Sequence, residues 1–270
     1  MGLVYGAERA SDLAGRLASV RVTIEQAAAQ AGGARVSSDP LPELVVVTKF
    51  FPASDVAALY DAGVRRVGEN RDQEAAAKAQ ELAAYTGSAD PLNWSFIGQL
   101  QTNKAKSAVQ YATEVQSVDR AQLVTALSKA YGNRLARYEA GECQAPAGMK
   151  HGGLRCLIQV SLEESGLVTA GQAAQGYRGG AAPDHIESLA ELISNSPGLT
   201  LGGLMAVAPL GQDPYAAFER LYGYAQKLQE RHPEATEISA GMSQDLEAAI
   251  YWGATTVRVG SKIMGSRPSA

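Results

Sequence analysis

Leu44-Val45-Val46-Val47-Thr48-Lys49-Phe50-Phe51-Pro52-Ala53-Ser54-Asp55 is the stretch that decides the fold. Its four consecutive apolar residues, three of them β-branched, match a strand covered on both faces, as in a parallel sheet. Phe50-Phe51-Pro52 breaks that pattern, and Ala53-Ser54-Asp55 opens an alanine-rich segment that reads as a helix to residue 62. Lys49 therefore stands at the carboxyl end of a strand in a strand–loop–helix unit, the end at which α/β proteins gather their reactive groups. Taken alone, such a lysine most simply snorkels to solvent. Beside apolar walls its amine loses a proton more readily than in water, and a neutral amine condenses with carbonyl compounds into Schiff bases.

The same alternation extends outward in both directions. Upstream, Leu13, Leu17, Val20 and Ile24 recur at helical spacing within residues 7–31. Downstream, strands are expected at Val64–Asn70, Trp94–Gly98, Glu114–Val118, Leu154–Leu162, Leu201–Val207, Glu237–Ala240 and Thr255–Gly260. Helical segments separate them at 71–85, around Lys104–Val109, from a cap at Asp119 to about Tyr131, and at Pro183–Ser194, Asp213–Arg231 and Asp245–Trp252. Two glycine-rich stretches, 132–153 and 163–182, break the rhythm and read as surface insertions. Eight strands alternating with helices point to an α/β chain forming one (β/α)8 TIM-type barrel over residues 1–270, with a doubly wound sheet as the alternative. Only Ser266–Ala270 follow the last apolar stretch, so the extra N-terminal helix is expected to cover the place of an eighth outer helix.

Composition narrows the function classes. The 270 residues are 46% hydrophobic and 19% charged, the balance of an ordinary globular domain. A net charge of −4 and a pI near 5.5 exclude a general nucleic-acid partner. No apolar run approaches a membrane span and the first residues lack a signal-peptide pattern, so a cytoplasmic location without membrane association is expected. Cys143 and Cys156 read as free thiols, and His151, His185 and His232 show no metal-ligand spacing, so no metal is expected.

In such barrels the loops after strands seven and eight often hold phosphate. Here they read Gly241-Met242-Ser243-Gln244-Asp245 and Gly260-Ser261-Lys262, each pairing a glycine with a serine. Either alone could be a tight turn; at adjacent strand ends, with amides ahead of the Asp245 helix, they suit an anion. Arg258 lies inside an apolar strand two residues before one loop, and such a charge needs a partner. An amine, a phosphate cradle and an arginine between them meet the needs of pyridoxal 5'-phosphate, PLP.

The chain resembles the pyridoxal phosphate homeostasis proteins, the YggS/PROSC family, over most of its length. The residues that carry the resemblance are Val47-Thr48-Lys49 with Pro52, Gly68-Glu69-Asn70, Trp94–Lys104, Gly203-Leu204-Met205, Gly241–Asp245 and Val257-Arg258-Val259-Gly260. It implies a barrel related to the cofactor domain of alanine racemases, with PLP held as a Schiff base on Lys49. It further implies Asn70 near the ring, Ser243 and the Gly260-Ser261 backbone at the phosphate, and Arg258 facing the pyridine nitrogen. An arginine there disfavours protonation of that nitrogen and weakens the cofactor as an electron sink. Met205 is expected inside the barrel top and is counted with the cofactor-binding set. Two features depart from the family: Ser95 stands where histidine is usual, and an insertion follows Glu163-Glu164-Ser165-Gly166.

The resulting expectation is a PLP-binding buffer or carrier with little or no turnover, monomeric, serving PLP-dependent apo-enzymes. The rivals are an amino-acid racemase, for which the C-terminal β domain and partner-supplied base of alanine racemases are expected to be missing, and a Schiff-base aldolase acting on a sugar phosphate.

Overall fold

The Val-rich run that opens the sheet, β1 (Glu43–Val47), pairs in parallel with β2 (Arg66–Glu69) on one side and β8 (Thr256–Val259) on the other. Between these lie β3 (Asn93–Phe96), β4 (Ala112–Val118), β5 (Leu154–Gln159), β6 (Leu199–Met205) and β7 (Glu237–Ser239), each paired with its neighbour, so the eight strands close into a barrel in chain order. This is a (β/α)8 barrel. The computed structural model describes residues 5–30, 32–35, 39–87, 90–163 and 179–267. The insertion expected at 163–182 lies largely outside them; on its described flanks, Val160 and Ala181 form a parallel bridge.

The outer layer consists of α1 (Ala7–Ala29), α2 (Ala53–Asp61), α3 (Asp72–Thr86), α4 (Ala105–Tyr111), α5 (Ala121–Glu139), α6 (Ile186–Ser194), α7 (Pro214–Gln229), α8 (Leu246–Tyr251) and the single-turn α9 (Ser261–Met264). The N-terminal helix α1 packs on α2, α8 and α9, burying Leu13, Leu17, Val20 and Ile24. It thus covers the sector that the short α9 leaves open, as its apolar spacing predicts. No helix among the described residues is long and apolar enough to cross a membrane.

Two local expectations need correction. Helix α5 runs past Tyr131 to Glu139, because a lone exposed Gly132 weakens a helix by only about 1 kcal/mol relative to alanine and does not end one. Asp119 does not cap it: Arg120 occupies the N-cap, and Asp119 accepts from the Arg120 guanidinium at 2.5 Å.

Strand alternation separates two interiors. Val46, Val67, Ile158 and Leu204 join the apolar layer between sheet and helices. The barrel lumen carries Glu114, Gln116, Glu237, Ser239, Thr256 and Arg258, all buried. Gly68 faces this lumen, where a Cβ would lie 3.0 Å from Val45 Cγ1. A polar column thus runs through a lumen that also holds aliphatic side chains such as Val45.

Candidate functional site

At the carboxyl end of the barrel, a cavity of about 560 Å³ is lined by Lys49, Phe50, Ser243, Arg258, Gly260 and Ser261, together with the 208–212 loop and Arg267. Five of the seven residues singled out from the sequence, Lys49, Ser243, Arg258, Gly260 and Ser261, therefore share one wall system. The strand-end geometry explains the convergence: Lys49 follows β1, Ser243 lies in the loop after β7, Arg258 is near the end of β8, and Gly260 and Ser261 follow it, on strands that are adjacent in the ring. Asn70 lies just past β2 with its Oδ1 buried and without a hydrogen-bond partner. Met205, 2% exposed, ends β6 in register with Ser239 and packs inside the barrel without lining the cavity.

The two serine loops meet. Ser261 Oγ donates to Ser243 Oγ at 3.2 Å, and the Arg258 amide donates to Gly241 O at 2.9 Å. One part of the anion reading changes: the Met242 N–H, ahead of α8, is taken by Asp245 Oδ1 at 2.6 Å, leaving the Ser243 hydroxyl as the side-chain donor that this loop shares with Ser261 of the next.

Arg258 has the partner that its place in an apolar strand demands. Its Nη1 donates to Ser239 Oγ at 2.6 Å and its Nη2 to Ala206 O at 2.8 Å. Burial pushes the guanidinium down to about 10, against the pull of Asp245, Glu237 and Glu114, so it remains charged at neutral pH. From Ser239 the column continues inward: Ser239 Oγ donates to Gln116 Oε1 at 2.7 Å, and Gln116 Nε2 donates to Glu114 Oε1 at 2.6 Å. Glu114 also accepts from Ser95 Oγ at 2.8 Å and from Arg66 Nη2 at 3.1 Å. Arg66 further bonds Glu237 at 2.9 Å and pairs with Glu43, and Arg155 Nε reaches Glu237 Oε2 at 3.0 Å. Burial, then the charge of Glu237, raises the Glu114 carboxyl, whereas for Glu237 burial is outweighed by Arg66 and the hydrogen bonds from Thr256 and Arg66, which hold it low. Ser95, where the resembling family usually has histidine, is thus a donor at the inner end of this column.

Phe50 adopts φ 72°, rare for an aromatic residue. Its ring has Arg267 at 4.5 Å, Arg71 at 5.0 Å and Lys49 Nζ at 5.8 Å from the centroid, within cation–π range. Gln212, in the loop over the cavity, buries an Oε1 without a hydrogen-bond partner. Phe50, Gln116, Gln212 and Ser239 were not anticipated as site residues. For Gln116 and Ser239 a signal existed: polar residues recur at every second position in Glu114-Val115-Gln116 and Glu237-Ile238-Ser239, facing the same side as Arg258.

A primary amine, two adjacent serine hydroxyls, a buried arginine and the unpaired amide oxygen of Gln212 line the cavity as a donor and acceptor set that fits a phosphorylated aromatic aldehyde, whereas Asn70, past β2, is not part of the lining. Comparison with known proteins points the same way. Residues 34–268 match the family described as alanine racemase, N-terminal domain. The chain is 39% identical over 265 residues to the pyridoxal phosphate homeostasis protein of Mycobacterium tuberculosis, covering 96% of this chain and 95% of that protein. PipY of Synechococcus elongatus, solved with PLP bound, superposes with a TM-score of 0.68 at 32% identity over 94% of this chain and 100% of PipY. Alanine racemase of Corynebacterium glutamicum shares the fold at 16% identity and TM-score 0.57, with this chain covering 62% of it. The chain belongs to the family of pyridoxal phosphate homeostasis proteins, built on the alanine racemase N-terminal domain.

Proposed function

We propose that the chain binds PLP in the cavity at the carboxyl end of the barrel and acts in intracellular PLP homeostasis as a buffer or carrier. The observation that carries this reading is the convergence of Lys49, the Ser243–Ser261 hydroxyl pair and Arg258 on one cavity, in a chain whose relatives are named for PLP homeostasis. When bound, the cofactor supplies an aldehyde and an electron-withdrawing pyridine ring. Lys49 anchors the aldehyde as a Schiff base, and Ser243, Ser261 and the Gly260-Ser261 backbone hold the phosphate. Asn70 accepts from a polar ring substituent through its unpaired Oδ1.

Arg258 governs the reactivity. Being charged at neutral pH and fixed by Ser239 and Ala206, it presents N–H donors and no acceptor to the cavity. A ring nitrogen facing it stays unprotonated, which supports holding the cofactor with little or no turnover. In this reading the protein acts in the cytoplasm as a monomer and releases PLP to PLP-dependent apo-enzymes.

The test is the visible spectrum of the purified protein, with and without added PLP, before and after borohydride reduction and peptide mapping. A yellow species fixed by reduction onto Lys49, without alanine racemisation, is expected. A protein that stays colourless with added PLP would overturn the binding reading, and Lys49-dependent alanine turnover would replace a carrier with a racemase.

A further inference from the structure

Behind Lys49, away from the cavity, lies a buried cluster that the proposed binding of PLP leaves without a task. Lys78, on α3, is 6% exposed, and its Nζ donates to Thr48 O at 2.9 Å, Glu69 Oε1 at 2.7 Å and Glu74 Oε1 at 2.7 Å. An ammonium has three protons, and these three acceptors match them. Each acceptor leads back to the segment around Lys49. Glu69 Oε1 also accepts from Thr48 Oγ1 at 2.7 Å, and Glu74 Oε1 accepts from the Phe50 backbone N–H at 2.5 Å.

The cluster thus grips the chain on both sides of Lys49: residue 48 through its carbonyl and its hydroxyl, residue 50 through its amide. The grip at residue 50 holds a backbone at φ 72°, a costly conformation for a phenylalanine. Burying an ammonium and a carboxylate, with a second carboxylate half-buried beside them, is an expensive way to join a helix to a strand end, since apolar packing of similar volume commonly gives equal or better stability. What charged hydrogen bonds add is fixed direction.

We propose that Lys78, with Glu69 and Glu74, is a positioning clamp that aims the Lys49 amine at the aldehyde of the bound cofactor, an inference that rests on the PLP-binding reading above. The step it serves is balanced within that pair. The unprotonated Lys49 Nζ forms a bond to the aldehyde carbon, its two remaining protons and the carbonyl oxygen leave as water, and no oxidant or reductant is consumed. Lys78 itself touches neither ring nor phosphate, and its effect passes through residues 48–50.

The experiment compares two ligands on apo-protein: PLP, and pyridoxine 5'-phosphate, which keeps ring and phosphate but carries an alcohol in place of the aldehyde. In Lys78→Met, PLP affinity and the rate of Schiff-base formation, followed by absorbance, are expected to fall about tenfold or more, as a misaimed reacting group does, while pyridoxine 5'-phosphate affinity stays within about twofold. Glu74→Ala, at a partly exposed helix position, releases the Phe50 amide and is expected to move the same ratio in the same direction; it decides the matter if Lys78→Met does not fold. Equal losses for both ligands, or no loss for either, would overturn the clamp. A wild-type protein that binds neither ligand would instead defeat the PLP reading itself, before any variant is compared.

Discussion

Ser239 Oγ lies 2.6 Å from Arg258 Nη1 and 2.7 Å from Gln116 Oε1, so one buried hydroxyl accepts from the site arginine and donates into the polar column behind it. Ser239→Ala leaves both partners buried and one bond short. It should cost about 1–3 kcal/mol of stability in urea unfolding. It should also weaken PLP binding, because Arg258 would keep only its bond to Ala206 O, while borohydride still fixes the cofactor on Lys49.

Lys49→Ala should abolish the borohydride-fixed adduct. The described side-chain bonds of Ser243, Ser261 and Arg258 run to one another, to Ser239 and to Ala206, so pyridoxine 5'-phosphate should bind the variant with affinity within about threefold of wild type, by isothermal titration. Loss of both would show that Lys49 also organises the phosphate loops.

Arg66 and Thr256, acting against burial, hold the Glu237 carboxyl below its ordinary value of 4.5. A carboxyl depressed in the folded state stabilises the fold above its unfolded-state value, and that contribution is lost as pH falls through the lower folded-state value. Glu237→Gln should therefore lower the Tm at neutral pH, and the gap to wild type should shrink progressively once the pH drops below 4.5. A gap that stays constant as the pH falls below 4.5 would mean that the loss is one of shape and not of charge.

Gly203 stands in β6 with φ 142°, and a Cβ there would lie 2.0 Å from the Glu237 carbonyl oxygen of the adjacent strand. Neither backbone can yield without opening the β6–β7 ladder. Gly203→Ala should destabilise the barrel by about 2–4 kcal/mol, read as a lowered denaturation midpoint, through strain of the overpacking kind.

Leu13, fully buried on α1, tests whether the N-terminal helix is part of the barrel's wall. Leu13→Ala should cost about 2–5 kcal/mol in a single cooperative transition. A separate early transition would mean that α1 unfolds on its own.

The sequence by itself determined a parallel sheet alternating with helices, because the apolar run at 44–47 calls for cover on both faces, and its count of eight strands favoured a barrel over a doubly wound sheet; the pairing of β1 with β8 that closes the ring was decided by the tertiary structure. It also placed Lys49, the two serine loops and Arg258 at the carboxyl end of the strands, since strand ends and a charge inside an apolar strand are visible as local pattern. The reach of α5 to Glu139 was not legible, because its buried residues end at Tyr131 and Gly132 follows at once, so the last two turns carry no buried apolar position to extend the helical pattern. Only the tertiary structure decided which distant residues share a hydrogen bond. Ser239, Gln116 and Glu114 become one column, and Lys78 meets Thr48 and Glu74 around the lysine, because barrel closure sets the register between strands far apart in the chain. Directed bonds of that kind depend on ångström distances across the fold, whereas periodicity records only which side of a strand or helix a residue occupies.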